Sequence, residues 1–249
     1  MSGHSKWANI KHKKGKADAA RGKIFTKLGR EIAIAVREGG SDPEVNGKLR
    51  DIIAKAKANN MPNDNISRSV KKAAGELGTV NYEEINYEGY APGGVAVIVE
   101  CVTDNRNRTA SDIRHIFDKC GGALGATNCV GYMFDRKGLL VIERKPSMTE
   151  DDMMLLAMDA GASDFEVSDD VFEISTETTD FAAVREELEK QSLPFLSAEL
   201  TRAPQNWIAV DNPEVVESVR KLIDMLEDMD DVMNVYHNAE LPDEPDEDD

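Results

Sequence analysis

Nine lysines and arginines crowd the first thirty residues: Lys6, Lys11, Lys13, Lys14, Lys16, Arg21, Lys23, Lys27 and Arg30, against a single acid, Asp18. Such side chains neutralise phosphates and release counterions, giving sequence-independent affinity for nucleic acid with steep salt dependence. Trp7 adds a flat ring that can stack on an unpaired base, and His4 and His12 can donate to phosphate or stack. Neither histidine has a Cys or carboxylate pair beside it, so they are not read as metal ligands. A second set, Asn63, Asn65, Arg68, Lys71 and Lys72, contains the residue types that read adenine and guanine edges in a major groove. A third lies in Thr103-Asp104-Asn105-Arg106-Asn107-Arg108-Thr109. There Arg106 and Arg108 are either further phosphate contacts or salt-bridge partners for acids of their own domain, and the sequence leaves both open.

The acidic clusters admit a rival chemistry. Glu150-Asp151-Asp152 and Asp169-Asp170 have ligand types suited to Mg²⁺, which would make a metal-dependent nuclease the competing class. The first reads more simply as a helix start favoured by the helix dipole, and the second as a hairpin turn. Gly121-Gly122-Ala123-Leu124-Gly125 lacks the Lys-Ser/Thr end of a phosphate loop and follows a helix, so it reads as an ordinary loop. No Ser/His/Asp or Cys/His set emerges. The expectation is a protein that is not an enzyme and needs no metal or cofactor.

Charge is divided along the chain. Residues 1–80 hold seventeen basic and eight acidic side chains, a net of +9, whereas residues 81–249 hold thirteen and thirty-nine, a net of −26. A polyanion is drawn to the first part and repelled by the second. The 41% hydrophobic content is that of a soluble globular protein. The longest apolar stretch, 93–102, is broken by Glu100 and has the length of a strand, not a membrane span. No apolar run follows the basic start, so no signal peptide is expected, and the Lys-rich, Gly-broken arm argues against a mitochondrial presequence. Cys101, Cys120 and Cys129 lack zinc-site spacing, and a reducing cytoplasm is the expected compartment.

Residues 1–18 have no sustained period and read as an arm that orders on binding. Ile24, Phe25, Leu28, Ile32 and Val36 then share one helical face up to Gly39-Gly40. Asp42-Pro43 offers a cap for a second helix with Val45, Leu49, Ile52, Ile53 and Ala56 inward. Asn59-Asn60-Met61-Pro62 breaks it, and a third helix opens near Asn63 and ends at Gly75; helices two and three suggest a helix-turn-helix pair. Beyond Tyr82 the pattern predicts a hairpin (85–90 and 95–101), a helix over 109–119 capped by Thr109, and a strand over 129–134. Then follow the βαββαβ elements of a ferredoxin-like sandwich (139–201), a strand at 207–210, a helix over 213–229 and a strand over 232–237.

The expected architecture is α+β: an N-terminal three-helix domain followed by two ferredoxin-like α/β domains, one inserted in the other. Its parts are a basic arm and helical nucleic-acid-binding domain (1–78), a discontinuous domain (79–135 plus 204–240), an inserted domain (136–203) and an acidic disordered tail (241–249).

Several motifs carry a resemblance. Gly3-His4-Ser5-Lys6-Trp7-Ala8-Asn9-Ile10-Lys11-His12-Lys13-Lys14, Asn60-Met61-Pro62-Asn63-Asp64-Asn65-Ile66, Tyr87-Glu88-Gly89-Tyr90, Pro92-Gly93-Gly94-Val95-Ala96 and Thr103–Thr109 resemble the YebC family of probable transcriptional regulatory proteins, which includes mitochondrial translational activators of cytochrome oxidase. The chain departs from the family pattern at Ala91 and at 126–129. The resemblance implies three domains and a cytoplasmic, non-enzymatic, DNA-binding regulator of transcription. It also implies an alternative, a ribosome-associated translation factor that binds RNA and relieves stalling at proline-rich stretches. The expected partners are DNA, or ribosomal or transfer RNA, with no membrane; no dimerisation element is evident and a monomer is expected.

Overall fold

The computed structural model describes residues 17–75, 82–145, 148–168, 170–191, 193 and 195–242, and for 17–21 the backbone alone. The arm expected at residues 1–16 and the acidic tail expected beyond 242 lie outside the described residues. The fold is α+β: three helices, then two four-stranded antiparallel sheets each carrying two helices. Residues 134–205 form one compact unit; the preceding described residues, together with those from Asn206 onward, form the other.

The helices are α1 (Ala17–Gly39), α2 (Gly47–Ala58) and α3 (Asn63–Gly75). Leu28, Ile32, Ala35 and Val36 of α1 meet Leu49, Ile52 and Ala56 of α2 and Ile66 of α3 in one buried cluster, whereas Val45, expected inward, is 79% exposed because it precedes α2. Both shorter helices pack chiefly on α1. The second helix begins later than Asp42-Pro43 suggests. Asn46 is its cap, accepting from the Leu49 amide at 3.0 Å while its side-chain amide donates to the carbonyls of Ala35 and Gly40 at 2.8 and 2.7 Å. Asp42 instead closes the preceding turn through the Glu44 amide. Met61 is buried within the turn between α2 and α3, and Asn60 takes the left-handed conformation (φ 58°) that lets the chain reverse.

In the same unit, β1 (Glu83–Tyr90) and β2 (Ala96–Thr103) form the expected hairpin, with Gly93 and Gly94 at positive φ in the turn. Then come α4 (Arg106–Lys119) and the two-residue β3 (Ala123–Leu124). From the far end of the chain come β8 (Ile208–Ala209), α7 (Pro213–Glu227), β9 (Val232–His237) and β10 (Ala239–Glu240). The sheet order is β3-β1-β2-β9, so chain segments more than a hundred residues apart share one sheet. Ile113, Ile116 and Phe117 of α4 and Val219, Leu222 and Leu226 of α7 cover Val97, Val99, Val232 and Val235.

Two local expectations fail for identifiable reasons. Residues 129–134 are not a strand. The buried Glu88 carboxylate accepts from the amides of Val130 and Gly131 at 2.9 and 2.7 Å, taking donors that a ladder would use. The segment makes a short 3₁₀ turn instead, and the strand starts at Phe134. Thr109 does not cap α4. Asn105 does, accepting from the Arg108 amide at 3.1 Å, and Thr109 is fully buried one turn in.

The second unit runs β4 (Phe134–Glu143), α5 (Glu150–Ala160), β5 (Asp164–Val167), β6 (Val171–Thr176), α6 (Phe181–Lys190) and β7 (Phe195–Pro204), in sheet order β5-β6-β4-β7. This is the ferredoxin-like arrangement read from element order. Glu150-Asp151-Asp152 form the first turn of α5, whose cap Thr149 accepts from the Asp152 amide at 3.2 Å. Among the described residues no helix is long and apolar enough to cross a membrane.

Candidate nucleic-acid interface

The basic residues singled out in the sequence do not share one environment. Lys6, Trp7, Lys11, His12, Lys13, Lys14 and Lys16 lie outside the described residues, and Arg21 is placed on α1 by its backbone alone. Lys23, Lys27 and Arg30 follow at spacings of four and three, which sets them on one side of α1. That side is engaged within the protein.

Its partner is the corner between α7 and β9. Lys23 Nζ lies 2.8 Å from Asp228 Oδ1, and Lys27 Nζ donates to the Glu227 carbonyl at 2.6 Å. Arg30 donates to Asp231 Oδ1 at 2.6 Å and to the Asp230 carbonyl at 2.7 Å. The last carbonyls of a helix lack intrahelical donors and carry the negative end of its dipole, so lysines suit the end of α7.

Asp231 is the hub of this contact. Its other oxygen accepts from Arg108 at 2.9 Å, from the Thr109 hydroxyl at 2.8 Å and from Thr103 at 3.1 Å. Burial works to raise its pKa, but the hydrogen bonds from Arg108, Thr109 and Arg30 prevail and hold it below the usual carboxylate range. Arg108 also pairs with Asp104 at 2.9 Å, and the bonds to Asp231 and Asp104 raise its own pKa. Of the two readings left open for Arg108, the structure supplies the internal partners. Cys101, buried nearby, has its thiol pushed up to about 12 by burial, as befits a small core residue and not a nucleophile.

Arg106 behaves differently from its neighbour. Its side chain is exposed and makes no hydrogen bond or ion pair among the described residues; only its backbone carbonyl is used, by the Tyr87 hydroxyl at 3.2 Å. Arg68 and Lys71 are likewise exposed on α3, beside exposed Asn63. Two exposed cations of α2, Arg50 and Lys57, join this set and were not singled out by sequence reasoning. Their signal was present, as bases on the polar side of an amphipathic helix, but nothing distinguished them from Lys48 and Lys55. Those two pair with Glu84 at 2.7 Å and Glu31 at 3.1 Å. Asp231 was also missed, because it reads as one more acid in an acidic half.

The exposed cations can hold phosphates as point or fork-shaped donors, and the described residues offer no group of three or more His, Cys, Asp or Glu arranged for a metal ion.

Comparison with known proteins covers nearly the whole chain. Residues 5–76 match the model of the TACO1/YebC protein N-terminal domain, and residues 82–239 that of the TACO1/YebC second and third domain. A relative from Acetivibrio thermocellus named "Probable transcriptional regulatory protein" is 62% identical over 238 residues, covering 96% of this chain and 98% of the relative. One of the same description from Clostridium novyi is 62% identical over 244 residues, covering 98% and 99%. The crystal structure of a conserved hypothetical protein, Aq1575, from Aquifex aeolicus superposes with a TM-score of 0.83 at 46% identity, over 92% of this chain and 94% of that one. With both models matched in chain order, the protein belongs to the TACO1/YebC family.

Proposed function

We propose that this protein is a non-enzymatic, nucleic-acid-binding regulator of gene expression, with DNA and transcription as the leading target. The observation that carries the reading is the division of charge, +9 over residues 1–80 against −26 over the rest. A polyanion meets the arm and the exposed cations of α2 and α3 while the remaining chain repels it. The names of the relatives support the word regulator. In this reading residues 1–78 bind, with one added contact from Arg106, and the rest of the discontinuous domain 79–135 plus 204–240 and the inserted domain 136–203 keep the bulk off the ligand. Lys6, Lys11, Lys13, Lys14, Lys16, Arg68, Lys71 and Arg106 make the phosphate contacts, with Trp7 and His12 beside them. Lys23, Lys27, Arg30 and Arg108 support the frame.

A second reading, binding of ribosomal or transfer RNA in translation, is favoured by one observation. With one side of α1 engaged internally, much of the binding charge falls to the arm, and an arm with a Trp suits unpaired bases better than a major groove.

The experiment is a salt titration of binding to duplex DNA and to structured RNA. About five phosphate contacts should lower affinity roughly 10²- to 10³-fold between 50 and 200 mM salt. Deleting residues 1–16 should remove most of that slope; an unchanged slope would sink the proposal. Preference for one duplex sequence by at least ~10³-fold selects transcription, and its absence with tight RNA binding selects translation.

A further inference from the structure

The inserted sheet has two faces. On one, Leu140, Ile142, Phe172 and Ile174 meet the two helices of that unit. On the other, alternate residues of the same strands place Leu139 and Val141 beside Val171, and these are 4%, 0% and 0% exposed. Both helices of the unit lie on the opposite side, and Leu196 is the partly buried apolar neighbour of this strip.

Strand register assigns the rest of the face, since directly opposed residues of an antiparallel pair share a side. Val141 lies opposite Glu173, Glu173 opposite Glu166, and Leu139 opposite Glu199. By alternation Asp135, Glu143 and Asp164 fall on the same side, and Lys137 is the one base that the four strands place there. Glu173 is only 5% exposed. The face is therefore an apolar strip within a frame of six carboxylates, suited to an occupant with apolar residues flanked by positive charge.

We propose that this face is a docking surface for residues 1–16 of the same chain. That segment carries Lys6, Lys11, Lys13, Lys14 and Lys16 and no acid, and beyond Met1 its large apolar residues are Trp7 and Ile10. The lysines complement the carboxylate frame, and Trp7 and Ile10 complement Leu139, Val141 and Val171. Sixteen extended residues reach about 50 Å. Docked there, the arm is held by carboxylates that phosphates must displace, which keeps it off weak polyanions.

The test uses the full chain with Trp207→Phe, leaving Trp7 as the only tryptophan. At low salt, acrylamide quenching of Trp7 should be several-fold weaker than in a synthetic peptide of residues 1–16. It should rise to the peptide value near 1 M salt, where the screening length is about 3 Å. Glu166→Gln with Glu199→Gln, both at half-buried positions on the frame, should free Trp7 at low salt with the circular dichroism spectrum unchanged. Lys11→Gln, Lys13→Gln and Lys14→Gln together should do the same from the arm side, without touching the sheet. Trp7 quenched as freely as in the peptide at low salt, or protection that survives both sets of substitutions, overturns the proposal. So does protection that accompanies a dimer mass in sedimentation, which assigns the face to a second copy. No nucleic acid enters this measurement, so its failure is separable from failure of the binding function.

Discussion

Two basic helices of the same small bundle have opposite fates. On α1, Lys23, Lys27 and Arg30 close onto the acidic corner 227–231, whereas Arg68 and Lys71 on α3 face solvent. Composition alone cannot tell them apart. What separates them is the partner: α1 meets the end of another helix, with its unsatisfied carbonyls and a buried carboxylate, and those groups take up the charge. Basic residues thus do two jobs in this protein, joining the bundle to the first sheet and presenting charge outward.

The comparison breaks most readily at Asp231. Asp231→Ala leaves Arg30 and Arg108 without their common carboxylate and takes from the buried Thr103 and Thr109 hydroxyls the acceptor they share, Thr109 keeping only the Asn105 carbonyl and Thr103 Oγ1. Removing one member of such a buried network costs about 3 kcal/mol or more. Urea unfolding should show this loss, while nucleic-acid affinity of the folded fraction stays at the wild-type value; a large loss of affinity with normal stability would place the corner in the binding site. The depressed pKa of Asp231 gives the same contact a pH signature. Its stabilisation is present above the unfolded carboxylate value near 4 and is lost as pH falls through the lower folded value, so wild type should lose stability below about pH 4 and Asp231→Asn should lose less.

On the outward side, Arg68→Ala with Lys71→Ala should reduce affinity roughly ten- to a hundred-fold at 0.1 M salt and lower the salt slope by about 1.8. The midpoint of unfolding should move by no more than about 0.5 kcal/mol, since neither residue has a packing role. An unchanged slope would confine binding to the arm and remove α3 from the interface.

Some of this was legible in the sequence and some could not be. The bundle and the βαββαβ unit follow from local pattern, with apolar period, breakers and element order all within reach of neighbouring residues. The caps at Asn46 and Asn105 were missed because Asp42-Pro43 and Thr109 carry equally good local signals. The choice was made by contacts outside the window, Asn46 with the end of α1 and Thr109 with Asp231. Glu88 cancels a strand some forty residues away by taking its amides. The fate of Lys23, Lys27 and Arg30 is the extreme case, because their partners lie about two hundred residues further along. Charge is a local property of sequence, but its availability is a property of the fold.

Arg106 and Arg108 restate the comparison two residues apart. Arg108→Ala should lower the urea midpoint of unfolding only modestly, since its side chain is half exposed and its pairs are screened by water, and leave affinity unchanged. Arg106→Ala should do the reverse, costing roughly five- to ten-fold in affinity for one phosphate contact with no change in unfolding. Equal behaviour of the two variants in both assays would dissolve the distinction.

The smallest effect tests where the occupied side of α1 ends. Lys23 is 45% exposed and Asp228 is 76% exposed, so their 2.8 Å pair sits in water, unlike that of Arg30 and Asp231 at 18% and 9%. Exposed pairs contribute little and are screened by salt, so Lys23→Ala should cost less than about 0.5 kcal/mol in unfolding. If the pair nevertheless holds Lys23 against competing phosphate, the salt slope of binding should also be unchanged. A slope reduced by about 0.9 would mean that Lys23 exchanges Asp228 for a phosphate when nucleic acid arrives. The boundary between structural and presented charge would then lie between Lys23 and Lys27, whose bond to the Glu227 carbonyl, 2.6 Å long and partly buried, gives a phosphate less to displace.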